Sequence, residues 1–356
     1  MAGEIAVPRG PHAANEAALR MISADSHVME PADLWTTRLD RAYRDRAPVF
    51  KPRTQDQFQG HPGGHDPRAR ITEMEQDGVS AEVLYPTLAL TLFGLRDAAL
   101  QAACFRTYND WLIEYCRAAP GRLVGAAAIS LYDVEAGVAE LERCRRAGLR
   151  GSIIWQVPHP DLPFASPHYD RFWAASQALG MPVSFHILTG FGWAHAGFEA
   201  LAWQENIKGA VLGELDEAGR AVFDLILNRV LERFPKLSIV LVETEIGWLP
   251  WVIEKLDQKL VKIGKAGIGP GASAYSLKPS EYCRRQVHAT FFNDPVGTRM
   301  LGWWGAENCM WSSDYPHPNS TWPESRAVIA RDLGYLDPER RARLAWKNAA
   351  ALYGID

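Results

Sequence analysis

Eight short apolar runs punctuate the chain, at residues 21–28, 81–86, 123–130, 151–156, 182–188, 238–243, 288–293 and 308–314. Most are near-continuous rather than alternating, the pattern of strands buried on both faces of a parallel sheet. Between them, apolar residues recur every three or four positions. Residues 96–118 carry Leu100, Cys104, Tyr108, Trp111, Leu112 and Tyr115 at that spacing. Residues 134–147 carry Val134, Val138, Leu141 and Cys144, with Gly148 as a natural stop. Segments 168–179, 218–233, 250–265, 322–333 and 338–352 predict further helices. Pro235 closes the block at 218–233, and Asp337-Pro338 opens the last one with an N-cap and a first-turn proline.

Strand then helix, repeated across 356 residues, predicts a (β/α)8 TIM barrel. An open doubly wound sheet is the other candidate. Such sheets usually carry a glycine-rich turn after the first strand, and here that strand ends in Asp-Ser-His. Two connections are long, at 30–69 and 189–217, and both follow strands. They fall on the carboxyl face, where barrels keep their chemistry, and read as lids or pocket walls. No repeat, low-complexity tract or linker interrupts the pattern. Residues 21–356 therefore read as one barrel domain, and 1–20 as an N-terminal extension, either a tail or an oligomer arm.

Composition narrows the function classes. Lys and Arg total 38 against 42 Asp and Glu, a net charge of −4, with 47% hydrophobic and 22% charged residues. These values exclude disorder and leave no footprint for nucleic acid or a polybasic membrane anchor. The five cysteines (Cys104, Cys116, Cys144, Cys283, Cys309) are widely spaced and form no CxxC pair. Neither a disulfide framework nor a thiolate zinc site is expected. The first twenty residues lack the apolar core of a signal peptide, and no run is long enough for a membrane span, so a soluble cytoplasmic protein is expected. The 13 Trp, as many as Phe, imply an aromatic core or an aromatic-lined pocket. Trp35, Trp193, Trp203, Trp248 and Trp322 fall in or beside segments that follow strands, whereas Trp111 and Trp346 sit in helices and read as core.

The strand ends hold the candidate chemistry. Asp25 and His27 end the first strand and, two residues apart, project to one face. His186 ends the fifth strand, Glu243 the sixth and Asp314 the eighth. Their convergence at one mouth offers the imidazole and carboxylate donors that zinc, manganese or iron(II) takes. A cation there also relieves the cost of burying carboxylates. Singly, each residue has a plainer reading. His186 could be a hydrogen-bonded core histidine, Asp314 a turn aspartate, and Glu243 the partner of an arginine.

The segments DSHVMEP (25–31), FH (185–186), RFPKLSIVLVE (233–243), SSDYPHP (312–318) and KNAAALYGI (347–355) resemble the amidohydrolase superfamily. They are most similar to its branch around aminocarboxymuconate-semialdehyde decarboxylase. The similarity runs from about Met21 to the C-terminus. It implies a barrel with one divalent metal ion, Zn2+ or else Mn2+, held by Asp25, His27, His186 and Asp314. It also implies a small-molecule substrate and a homodimer. Two departures stand out. Asp25 is one carbon shorter than the glutamate of many decarboxylases in the branch. Glu243 occupies the place of a histidine that they carry in a GHxGE-like segment.

Two activities follow from the resemblance and these departures. One is non-oxidative decarboxylation of a small aromatic or unsaturated acid. The other is hydrolysis of an amide, lactone or ester by metal-bound hydroxide, with Asp314 or Glu243 as the acid–base group. A barrel that only binds is a third possibility. Among supporting residues, His317 either reaches the site or caps its turn, and Glu30 either backs a metal ligand or forms a loop salt bridge. Phe191, Trp193, His195 and Trp203 are candidate pocket walls or plain packing of an insertion.

Overall fold

The computed structural model describes residues 19–50, 61–191, 211–212 and 214–356. Eight strands, β1 Ile22–His27, β2 Ala81–Tyr85, β3 Leu123–Ala128, β4 Gly151–Ile154, β5 Val183–His186, β6 Ile239–Val242, β7 Val287–Phe291 and β8 Cys309–Trp311, run in sequence order. Each is parallel to the next. Seven of the eight predicted runs contain their strand, β7 begins one residue before its run at Val287, and the fold is the expected (β/α)8 barrel. Nearly all strand positions are buried, which explains the continuous apolar runs.

Closure between β8 and β1 uses groups within β1 and residues just past the end of β8. The Asp314 N–H donates to the Asp25 carbonyl at 3.0 Å, and the His27 N–H to the Tyr315 carbonyl at 2.6 Å. Ser23 accepts the Ser313 N–H at 2.8 Å, and Ser26 meets Ser313 at 3.1 Å. The two strand ends that carry Asp25, His27 and Asp314 are thus locked together.

Helices return the chain outside the barrel. Asp97 caps Ala98–Cys116 by accepting the Leu100 N–H, and Asp133 caps Val134–Arg146 by accepting that of Ala136. The block predicted at 218–233 is two helices, Glu214–Leu227 and Val230–Arg233, parted by Arg229 at φ 61°. Among the described residues, four helices were absent from the periodicity: Pro67–Asp77, Pro279–Gln286, Pro295–Trp304 and the short Leu34–Arg38. The first buries Arg70, Glu73 and Asp77, so its inward face is charged and gives no apolar stripe. It also shortens the connection expected at 30–69, which further holds a helix at Leu34–Arg38 and a 3-10 turn at Arg41–Arg46.

The C-terminal segment serves the barrel directly. Asn348 donates to the Cys309 carbonyl of β8, and the Tyr353 hydroxyl lies 3.2 Å from that of Tyr85, which meets Ser184 at 2.9 Å. Of the tryptophans, Trp35 is core, donating to the Cys104 carbonyl, and Trp111 is buried as expected. Trp193 and Trp203 lie outside the described residues. Among the described residues, no helix is long and apolar enough to cross a membrane.

Candidate metal centre

Among the described residues, four of the five non-glycine residues with positive φ lie just past the ends of β5, β6 and β8: Leu188, Glu243, Glu245 and Asp314. Strain of this kind persists only where surrounding structure fixes it, and it gathers at functional sites. The polar side chains of these strand ends meet in one cluster.

His27 and His186 are fully buried, with Nε2 atoms 3.2 Å apart. His27 Nδ1 lies 2.7 Å from the Pro86 carbonyl oxygen, and His186 Nδ1 lies 2.9 Å from that of Ile187. A carbonyl only accepts, so each Nδ1 carries the hydrogen and each Nε2 presents a lone pair to the other. Burial, then the neighbouring imidazoles of His317 and His186, holds His27 well below its ordinary pKa. Burial pushes His186 down to about 3. Both rings are neutral near pH 7, the state that ligates metals.

Three carboxylates surround the pair. Asp25 Oδ1 is 3.5 Å from His27 Nε2 and 3.8 Å from His186 Nε2. Asp314 Oδ1 is 3.6 Å from His27 Nε2. Glu243 Oε2 lies 3.6 Å from His186 Nε2 and 4.0 Å from His27 Nε2. Neither oxygen of Asp25 has a hydrogen-bond partner among the described residues. Burial, then the charges of Asp314 and Glu245, drives the Asp25 carboxyl well above the usual carboxylate range. Burial likewise raises Asp314, against the pull of His317.

Facing lone pairs and unpartnered buried carboxylate oxygens are costly alone and favourable around a cation. Asp25, His27, His186 and Glu243 offer donor atoms within 4.8 Å of one another, as do His27, Glu243, Asp314 and His317. The donor set of imidazole nitrogen and carboxylate oxygen suits a single divalent ion.

His317 belongs to this cluster. Its Nδ1 lies 2.8 Å from Asp314 Oδ1, and its ring centre is 4.0 Å from that of His27. Glu30 makes its hydrogen bonds to backbone N–H groups. It is buried and accepts those of Thr87, Leu88 and Ala89, next to the Pro86 carbonyl that orients His27. A carboxylate capping a turn leaves no sequence mark beyond its own identity. Phe191 lies on the loop beyond β5, packed against His159 and Arg96, and His195 is outside the described residues.

Several supporting groups escaped the strand-end pattern. Arg70 donates to the His27 carbonyl at 2.7 Å, pairs with Glu82, and stacks 4.3 Å from the Tyr315 ring centre. Glu245 accepts the N–H groups of Phe292 and Asn293, while Asp294 accepts those of Ile246 and Gly247. This reciprocal clasp joins the loops after β6 and β7, and the Glu243 N–H donates to Thr290 on β7 at 2.9 Å. The E-T-E spacing at 243–245 was the one available signal for Glu245.

A parallel barrel with a buried imidazole–carboxylate cluster at its carboxyl end defines a class of proteins built to hold a divalent cation there. The amidohydrolase family model matches residues 22–355, and the chain belongs to that family. Gamma-resorcylate decarboxylase from Polaromonas sp. strain JS666 is 21% identical over 309 residues, covering 81% of this chain and 87% of its own. The crystal structure of 5-carboxyvanillate decarboxylase from Sphingomonas paucimobilis superposes with a TM-score of 0.75 at 24% identity, covering 95% of this chain and all of that one (100%). A dihydroxybenzoic acid decarboxylase from Polaromonas sp. JS666, solved with bound manganese, gives 0.67 at 18% identity, covering 94% and 97%.

Proposed function

We propose that this protein is a metal-dependent, non-oxidative decarboxylase of a small hydroxylated aromatic acid. The observation that carries the reading is the Asp314–His317 pair beside the facing histidine nitrogens. The relatives' activity on resorcylate and carboxyvanillate acids supports the substrate class. Asp25, His27, His186 and Asp314 are the proposed metal ligands. A divalent ion held there would supply the positive charge that attracts the anionic substrate. Zinc is the expected ion on donor chemistry, and the manganese in a structural relative makes Mn2+ the second candidate.

The chain's own residues move the proton. Asp314, 2.8 Å from His317 Nδ1, is the proposed carrier of the proton to the ring carbon bearing the carboxylate. A C–H bond forms there. The C–C bond breaks, its electron pair stays on the ring, and CO2 leaves. His317, with 15% of its side chain exposed, links buried Asp314 to solvent and returns the proton. Glu243, with Oε2 near both histidines, is the second proposed acid–base group.

One observation favours the hydrolytic alternative. Glu243 puts a third carboxylate where decarboxylases of the resembling branch carry a histidine, and a carboxylate suits base catalysis on an amide, lactone or ester. Metal-loaded enzyme tested on hydroxybenzoates, lactones and amides separates the two readings. CO2 release from a hydroxybenzoate is the expected result. A ring-opened or cleaved acid without CO2 overturns it.

The proposed catalytic unit is residues 21–356, with 1–20 as an extension. A cytoplasmic setting accords with five free cysteines, four of them buried. A homodimer is the proposed assembly, checked by light scattering.

A further inference from the structure

The loops that follow β2, β3, β4 and β5 carry a second cluster on the same end of the barrel as the candidate metal centre. The Arg96 guanidinium carbon lies 5.0 Å from the Phe191 ring centre. His159 packs edge-on against Phe191 at 4.7 Å, and Tyr132 is 5.9 Å from His159. Arg96 is exposed and has no carboxylate partner among the described residues. The next residue, Asp97, is already paired with Arg46 and caps a helix.

Arg96 sits on fixed backbone. The buried Gln101 amide donates to the carbonyls of Leu92 and Phe93 at 3.1 Å and of Leu95 at 3.3 Å. The Tyr132 hydroxyl donates to the Leu95 carbonyl at 2.9 Å. The same segment begins at Thr87–Ala89, held by Glu30 beside the Pro86 carbonyl on His27. Phe191 is equally fixed, since its N–H donates to the Val157 carbonyl at 2.9 Å. Gly190 before it adopts φ +128°, where a Cβ would stand 2.2 Å from that carbonyl oxygen.

Phe191 lies five residues after His186. Five extended residues span at most about 17 Å, and the turn at Leu188 shortens that reach. A guanidinium stacked on an aromatic face keeps its in-plane donors free, and those donors match a carboxylate in bidentate geometry.

We infer that Arg96, held against Phe191, is a specificity-determining residue that receives a second anionic group of the substrate. The inference rests on the proposed function and selects, within it, ring acids with two carboxylates over those with one. Binding is measured by calorimetry on the full-length, manganese-loaded protein. The probes are salicylate (2-hydroxybenzoate), 2-hydroxyterephthalate and 4-hydroxyisophthalate.

Wild type is expected to bind at least one dianion about tenfold more tightly than salicylate, as a charge-assisted bidentate pair provides. Arg96→Gln should erase that advantage and leave salicylate binding within about twofold, and Arg96→Lys should restore part of it. Equal affinity of wild type for all three probes, or an advantage that survives Arg96→Gln, overturns the assignment. A metal-free control separates the two readings. An Arg96-dependent advantage that is unchanged without metal upholds Arg96 and counts against the proposed metal-dependent function.

Discussion

His27 and His186 turn their Nε2 lone pairs toward each other at 3.2 Å, each ring fixed by a hydrogen bond from its Nδ1 to a backbone carbonyl. Rotating either ring away would break that bond, so the repulsion is built in and a cation between them relieves it. His186→Ala should therefore abolish metal uptake, measured by elemental analysis, and turnover with it, while the circular dichroism spectrum is kept. Full metal content in this variant would refute the assignment. Metal should also stabilise the fold, by about 2.7 kcal/mol at a hundredfold excess over Kd, and chelation should lower Tm accordingly.

Glu243 separates ligation from proton transfer. Glu243→Gln keeps its shape and removes its charge. With Asp25, His27, His186 and Asp314 in place, the metal should stay bound and turnover should fall at least about a hundredfold, the size of a general acid–base contribution. Loss of metal instead would make Glu243 a ligand.

The strands and the central donors were legible because each leaves a local mark. A buried parallel strand is a continuous apolar run, and a candidate donor at or just past its carboxyl end stands out there as a polar residue, as at His186 and Asp314. What holds the donors in place was not legible. Arg70 and Glu82 are polar residues at positions the fold buries, and nothing local pairs residues of two different elements. Glu30 reads as a loop charge until the fold brings the N–H groups of Thr87, Leu88 and Ala89 onto it. The helix at Pro67–Asp77 was hidden for the same reason, because its buried face is charged.

Arg70 links the barrel wall to the centre. Its guanidinium is fully buried, with Glu82 beside it and the His27 carbonyl under one nitrogen. Arg70→Met leaves Glu82 as an uncompensated buried charge and should cost about 3–5 kcal/mol in urea unfolding. The double variant Arg70→Met with Glu82→Leu should recover much of that stability. Metal affinity should stay reduced in both, because the His27 carbonyl has lost its donor. A double variant as unstable as the single one would show that the pair does not act as a unit.

His288 on β7 gives the fold an acid limit independent of the metal centre. Its Nδ1 is buried without a hydrogen-bond partner, and burial lowers its pKa from 6.5 to about 4. Between those values the unfolded chain binds a proton that the folded chain refuses, so ν_U exceeds ν_N and stability rises with pH. The contribution is fully present above pH 6.5 and is lost as pH falls toward about 4. Thermal melts of metal-free protein from pH 7 down to pH 4 should show Tm falling across this window. His288→Gln, which cannot titrate, should flatten that slope whatever its effect on Tm at pH 7. An unchanged slope would place the acid sensitivity elsewhere, with the site carboxylates and histidines the next groups to test.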